Sequence, residues 1–253
     1  MTFFYTIKLK HAKRYFIIIV CTILAITILA INGGNHLSVF SSQDGPVGLA
    51  KGNEKNEDVS LTFNVTWGDQ MLEPILDQLN EHDVQATFFL LGEWAEHHPH
   101  LIELIDKAGH EIGMLGYRYK SYLDLDNSDI VKDLHRAKDV FNKLGYTDLN
   151  LLRTPSGHLD EEVLTIAVNQ GYDVIQWRVN SNDWKAPGID NIVEEVISET
   201  KNGDIILMHA SDSAIQTAKA LELILPTLKE KGFKFVSVSE LISQADIETD
   251  PVE

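Results

Sequence analysis

The chain has a single cysteine, Cys21, and it falls inside an apolar run near the N-terminus. No intrachain disulfide can form, so whatever folds beyond that run depends on its own core. Positive charge is scarce as well. Lysine and arginine number 21 against 38 aspartates and glutamates. Lys8, Lys10, Lys13 and Arg14 precede the apolar run and every acidic residue follows it, which leaves 17 against 38, formally −21, on the remainder. Such a surface repels nucleic acid and anionic lipid, and the sequence supplies no basic groove. No internal repeat is evident, and only one long apolar run is present.

That run extends from residue 15 to about 31. As a helix rising about 1.5 Å per residue it is about 25 Å long, near the lower limit for spanning a bilayer. Cations precede it and none follow closely, which places the N-terminus in the cytoplasm and exports the rest. A cleaved signal peptide is the alternative. Ile28, however, sits badly for cleavage after Ala30, and Cys21 follows Val20 rather than a small residue. An uncleaved, single-pass anchor is therefore the favoured expectation. The chain divides into a basic cytoplasmic segment (1–14), an anchor (15–32), a polar linker (33–58), one domain (59–243) and an acidic tail (244–253).

Beyond the linker, short apolar runs alternate with stretches of helical period. Strands are expected over 59–63, 86–91, 111–113, 149–153, 174–177, 204–208 and 233–237, and helices over 71–82, 99–108, 128–144, 161–170, 191–200 and 214–231. Gly109, Gly145, Gly171, Gly203 and Gly232 each close a periodic stretch, the position that favours a left-handed residue. Asp160 and Asp190 stand where carboxylates cap helix N-termini, and Pro99 suits a first helical position. One helix shows its core face as Ile130, Leu134, Ala137, Phe141 and Leu144. The alternation predicts an α/β fold with parallel strands covered by helices; periodicity alone leaves open whether the sheet closes.

Two segments carry the chemistry that can be read. The first strand ends Leu61-Thr62-Phe63-Asn64-Val65, and a later stretch reads Gly109-His110-Glu111-Ile112-Gly113-Met114-Leu115-Gly116-Tyr117-Arg118-Tyr119. Together they resemble the core motifs of the polysaccharide deacetylase (NodB-homology) family. The resemblance runs over about 59–242 and implies a distorted (β/α) barrel with a groove at the strand C-terminal ends. Family members remove N-acetyl groups from glycan sugars, using zinc or another divalent cation whose bound water falls from a pKa of about 15.7 to about 7. In the family the first strand reads Thr-Phe-Asp-Asp, a general base followed by a metal ligand, and two histidines four residues apart complete the metal site. Here Asn64 replaces the base, and Val65, Leu115 and Tyr119 occupy the ligand positions. An amide cannot accept the proton, and a phenol is a poor ligand at neutral pH, so no competent metal site and no bound metal are expected.

The later motifs are better kept. Arg153-Thr154-Pro155-Ser156 resembles the segment whose arginine orients the base, with Pro155 beside the substrate. Asn182-Asp183-Trp184 resembles the segment whose aspartate holds that arginine and whose tryptophan walls the acetyl pocket. Leu207-Met208-His209 matches the strand end whose histidine is the general acid. Each ends or follows an expected strand, where barrel sites assemble. Trp67-Gly68-Asp69, Asn180-Ser181-Asn182-Asp183-Trp184 and His209-Ala210-Ser211-Asp212-Ser213 further resemble a sporulation-type, PdaB-like branch, whose members are anchored in the membrane and associated with wall or spore-cortex peptidoglycan.

Plainer roles stand beside these. Arg153 and Asp183 can be a buried ion pair kept for structure, and His209 a structural histidine. His110 precedes its strand and is expected to be structural. His97, His98 and His100 start a helix and read as polar capping. Asp69 is expected to cap the helix near Met71. Trp67, Trp94, Trp184, Tyr117, Tyr119 and Tyr122 suit either a sugar-stacking groove or an aromatic core. The resulting expectation is a membrane-anchored, extracytoplasmic protein that binds cell-wall or spore-cortex glycan, or a protein partner, with its metal chemistry lost. The competing expectation is an active hydrolase with a relocated or metal-free site on Asp69, Asp183 and His209.

Overall fold

The computed structural model describes residues 41–42, 45–46 and 48–246. The expected cytoplasmic segment and anchor lie outside the described residues, as does most of the acidic tail. Among the described residues no helix is long and apolar enough to cross a membrane.

Eight short strands form one sheet: β1 (Asp58–Val65), β2 (Thr87–Leu90), β3 (Glu111–Met114), β4 (Leu151–Leu152), β5 (Asp173–Val174), β6 (Val179–Asn180), β7 (Ile205–His209) and β8 (Lys234–Phe235). The order is β5-β4-β3-β2-β1-β7-β6, with β8 paired to the start of β1, and every pairing is parallel. The helices are α1 (Leu72–Glu81), α2 (Gly92–His97), α3 (Pro99–Lys107), α4 (Asn127–Lys143), α5 (Glu161–Asn169), α6 (Ile189–Glu199), α7 (Thr217–Glu230) and α8 (Val238–Asp246). The expected α/β architecture is present as a parallel half-barrel. Its end strands β5 and β6 are joined by no ladder. Residues of the stretch read as linker cover part of that gap instead: Leu49 bridges to Ile175 and Lys51 to Asp204. The Leu49 N–H donates to Val174 O at 2.8 Å, and the Gly52 N–H donates to Gly203 O at 2.7 Å.

β1 is the centre of the sheet and is buried at every position after its first, as expected of a strand covered on both faces. Phe63 stacks on Phe88 of β2 at 5.0 Å. The Thr62 hydroxyl donates to Ile206 O at 2.7 Å, as a buried polar group requires, whereas the buried Ser60 hydroxyl has no partner. Register then decides the site. Asn64 lies opposite Phe89 on one side and His209 on the other, which brings both polar residues to the C-terminal rim.

Helix boundaries follow the expected punctuation. Gly109 after α3 and Gly171 after α5 adopt φ of 78° and 85°, a region closed to most side chains. Asp160 Oδ1 accepts the Val163 N–H at 2.8 Å and caps α5, and Pro99 opens α3. Two caps differ from expectation. The N–H groups of Gln70 and Met71, before α1, donate to Asp212 Oδ1 at 2.8 and 3.3 Å, and Asp69 is exposed. Asp190 lies inside the first turn of α6, whose N-cap is Gly188. In α4, Ile130, Leu134, Ala137 and Phe141 are buried as expected; Val140 joins them, while Leu144 is half-buried.

Candidate functional site

A cavity of about 530 Å³ opens at the C-terminal ends of β1 and β7. Asn64 and His209 face it, and Trp67, Tyr119, Trp177 and Trp184 supply aromatic surface. Trp67, Tyr119 and Trp184 are about half exposed, an unusual state for large rings and one suited to stacking on sugar.

Beneath the cavity Arg153 is fully buried. Its Nη1 donates to Asn64 Oδ1 at 2.9 Å, its Nε to Ile175 O at 3.2 Å and its Nη2 to Gln176 O at 3.2 Å. The guanidinium carbon lies 4.1 Å from the Phe89 ring centre and 5.3 Å from that of Trp177. The expected Arg153–Asp183 ion pair is therefore absent. All three acceptors are neutral, and desolvation by burial pulls the guanidinium down to about 9. It still carries its charge at neutral pH. Because Asn64 Oδ1 is engaged by Arg153, the amide has its Nδ2 donor left for the cavity.

Asp183 instead holds His209. The carboxylate is fully buried; Oδ1 lies 2.8 Å from His209 Nδ1, and Oδ2 accepts the His209 backbone N–H at 2.9 Å. The Thr217 hydroxyl donates to Oδ2 at 2.6 Å, and the Trp184 N–H donates to Oδ1 at 3.0 Å. Burial alone would raise the Asp183 carboxyl. The His209 imidazole, and after it Thr217 and the His209 backbone N–H, outweigh that and hold it below the ordinary carboxylate range. The Nδ1 contact with the carboxylate fixes the ring orientation and leaves Nε2 as the ring nitrogen not engaged by Asp183. The pair can exchange a proton with a ligand.

The positions where the family places a metal do not fit one. Val65 and Leu115 are hydrocarbon side chains fully buried in the core, and Tyr119 is an exposed phenol. No group of three or more His, Cys, Asp or Glu that could hold a metal ion occurs among the described residues. Asp69 does not line the cavity with His209, so the alternative site on Asp69, Asp183 and His209 is assembled only in its last two members. Pro155 is buried; it starts the turn that carries Ser156, at φ 62°, to the cavity wall.

The aromatic set divides. Tyr117, Tyr122 and Trp94 are buried, with the Tyr122 hydroxyl donating to Asp133 Oδ2 at 2.8 Å and the Trp94 indole N–H to Gly68 O at 2.6 Å. Trp177, read only as the end of a strand, is a wall that the sequence analysis missed; its place at a strand C-terminus was the available signal. Thr217 was missed too, and nothing in its spacing marks it. His110 lies at the opposite, N-terminal end of β3, where burial pulls it down to about 4. His97 and His98 Nδ1 bond to the Glu93 and Trp94 carbonyls of α2 at 2.7 and 2.9 Å, and His98 makes no side-chain cap at the start of α3.

The site is an aromatic groove at the strand ends of a parallel α/β half-barrel, over a buried arginine and an Asp–His pair. The chain belongs to the polysaccharide deacetylase family, whose model, described as polysaccharide deacetylase, matches residues 51–175. It is similar to a peptidoglycan-N-acetylglucosamine deacetylase of Bacillus cereus, 33% identical over 187 residues that cover 73% of this chain and 87% of that one. It is also similar to the uncharacterized protein YlxY of Bacillus subtilis, 32% identical over 199 residues, 79% of this chain and 61% of that longer one. Among solved structures it resembles BA3943, a CE4 family pseudoenzyme from Bacillus anthracis. The TM-score is 0.74 and the identity 32%, over 78% of this chain and 69% of that one. A mutant of BA3943 with restored enzymatic activity fits with the same TM-score, at 31% identity over 78% of this chain and 72% of that one.

Proposed function

We propose that this protein is a catalytically degenerate member of its family, anchored in the membrane by its N-terminal apolar segment and exposed outside the cell, where it binds cell-wall or spore-cortex glycan. One observation carries the reading. Asn64, Val65, Leu115 and Tyr119 replace the base and the ligands, while the groove, Arg153 and the Asp183–His209 pair are retained. Loss of a general base alone costs about 10²–10⁴ in rate, and the side chains that would ligate a metal are replaced along with it. A relative that is a CE4 family pseudoenzyme supports the same conclusion. The cations of Lys8, Lys10, Lys13 and Arg14 ahead of the apolar run support the anchor and its orientation.

The retained Asp183–His209 pair supports one rival, a slow metal-free hydrolase. The two readings separate in one experiment. The purified chain is incubated with acetylated glycan, with and without added zinc or cobalt, and both acetate release and retention on insoluble peptidoglycan are followed. Retention without acetate release is expected. Acetate release abolished by a chelator would overturn degeneracy, release that ignores the chelator would establish the rival, and a protein left in the supernatant would refute glycan binding.

A further inference from the structure

A second cleft, about 400 Å³, lies between the 117–125 loop and the first half of α4. Arg118, Lys120, Lys132 and Arg136 line it against two carboxylates, Asp129 and Asp133. That balance is the reverse of the chain's, which has 21 basic residues to 38 acidic. The two carboxylates are committed elsewhere. Asp133 accepts the N–H groups of Tyr117 and Arg118 at 2.8 and 3.1 Å, as well as the Tyr122 hydroxyl, so its charge serves to fold the loop onto α4. Asp129 is paired with Lys132 at 2.7 Å. Arg136 is held in place by stacking, 3.7 Å above the Tyr117 ring, with Nη2 donating to the Tyr117 hydroxyl at 2.6 Å. Arg118 and Lys120 are exposed and form no ion pair among the described residues.

The cleft continues the groove. Tyr119 lines the aromatic cavity, and its two chain neighbours, Arg118 and Lys120, line the basic cleft. A sugar chain stacked on Tyr119 would pass the two residues that flank it, cations with no ion pair among the described residues, beside the Arg136 guanidinium. The Tyr117 hydroxyl that supports Arg136 donates in turn to Glu96 Oε2 at 2.9 Å. Guanidinium and ammonium groups placed this way select an oxyanion. We propose that this cleft is an anion subsite that binds the carboxylates borne by alternate sugars of the glycan, the lactyl or stem-peptide carboxylates of muramic acid units. This rests on the glycan-binding reading and names the polymer: a carboxylated amino-sugar chain is preferred to a neutral one.

The test measures tryptophan-fluorescence binding of the full chain, in detergent, to four probes. These are an N-acetylglucosamine oligomer, a muramic-acid-containing glycan fragment with free carboxylates, the same fragment amidated, and a wall teichoic acid carrying phosphodiesters. The free-carboxylate fragment is expected to bind about tenfold more tightly than the amidated one, the worth of one or two charge-assisted bonds. Salt should narrow the gap. The double variant R118Q/K120Q should erase it and leave the affinity for the neutral oligomer unchanged. Equal affinity for free and amidated fragments would overturn the subsite and leave the glycan reading standing. A preference that survives R118Q/K120Q would overturn its location. Teichoic acid binding lost in R118Q/K120Q, with no carboxylate preference in the parent, would assign the cleft to a phosphodiester and also overturn the proposal. Failure of every glycan to bind would sink both readings.

Discussion

Asn64→Asp returns a carboxylate to the one position from which Arg153 Nη1 is 2.9 Å away. At that separation and an effective dielectric of about 20 the attraction is about 6 kcal/mol. Desolvating the new carboxylate costs several kcal/mol, and the charged donor already gains about 1.5–3 kcal/mol from its present bond to the amide. A net gain of about 1–2 kcal/mol remains, because Arg153 is already buried and its own desolvation is unchanged by the substitution. In a domain of this size that raises Tm by about 2–8 °C. The pH dependence is the sharper readout. A carboxylate beside this guanidinium titrates below its unfolded value of about 3.9, so the gain is complete above that value and lost as pH falls through the folded one. Calorimetry of both proteins between pH 2 and 8 follows it. A variant less stable than the parent at neutral pH, or a gain that persists at pH 2, would refute the argument that Arg153 lacks its counter-charge.

Other outcomes follow from neighbouring residues. The quadruple change N64D/V65D/L115H/Y119H should bind zinc, measured by metal analysis. It should also be less stable than the parent without zinc, since Val65 and Leu115 are fully buried and each unpaired polar replacement costs about 1–3 kcal/mol. His110 is pulled from 6.5 to about 4, so the folded protein loses stability as pH falls from about 6.5, by about 3 kcal/mol once below about 4. His110→Leu should flatten the urea-midpoint profile across that range. Its Nε2 is buried without a partner, but Nδ1 accepts the buried Ala86 N–H at 3.4 Å, so the substitution also costs about 1–3 kcal/mol at neutral pH. Gly157→Ala sets a β-carbon into the Trp177 indole at φ 69°. It should weaken glycan binding, read by tryptophan fluorescence, and cost about 1–3 kcal/mol of stability; an unchanged affinity would remove Trp177 from the groove wall.

Most of the fold was legible because its punctuation is local. Gly109, Gly145, Gly171, Gly203 and Gly232 all take the positive φ that their place after a periodic stretch foretold. Elements too short to show a period were missed: α2, of six residues around the buried Trp94 and Ala95, and β6, of two. α8 was missed although it spans nine residues, since only the strand before it was read. Within the site, identities came through and partners did not. Arg153 directly follows β4 as expected, whereas Asp183 stands in a turn after the unread β6; which of Arg153 and His209 the carboxylate faces depends on how β7 aligns with β1, and composition cannot say. Asp212 replaced Asp69 as the partner of the Gln70 and Met71 N–H groups because a loop distant in sequence arrives there. The split of the aromatic residues between core and groove is likewise a matter of tertiary packing.

The bridges from Leu49 and Lys51 bear on where this domain can be cut. A fragment starting at Asp58 would strip partners from Val174 O, Gln176 N–H and Gly203 O and leave the flank of β5 uncovered beside hydrophobic Ile175. An uncovered strand edge is a template for another molecule's strand. Fragments trimmed to the first long strand would tend to associate edge to edge, whereas those retaining residues from 48 onward keep that flank closed.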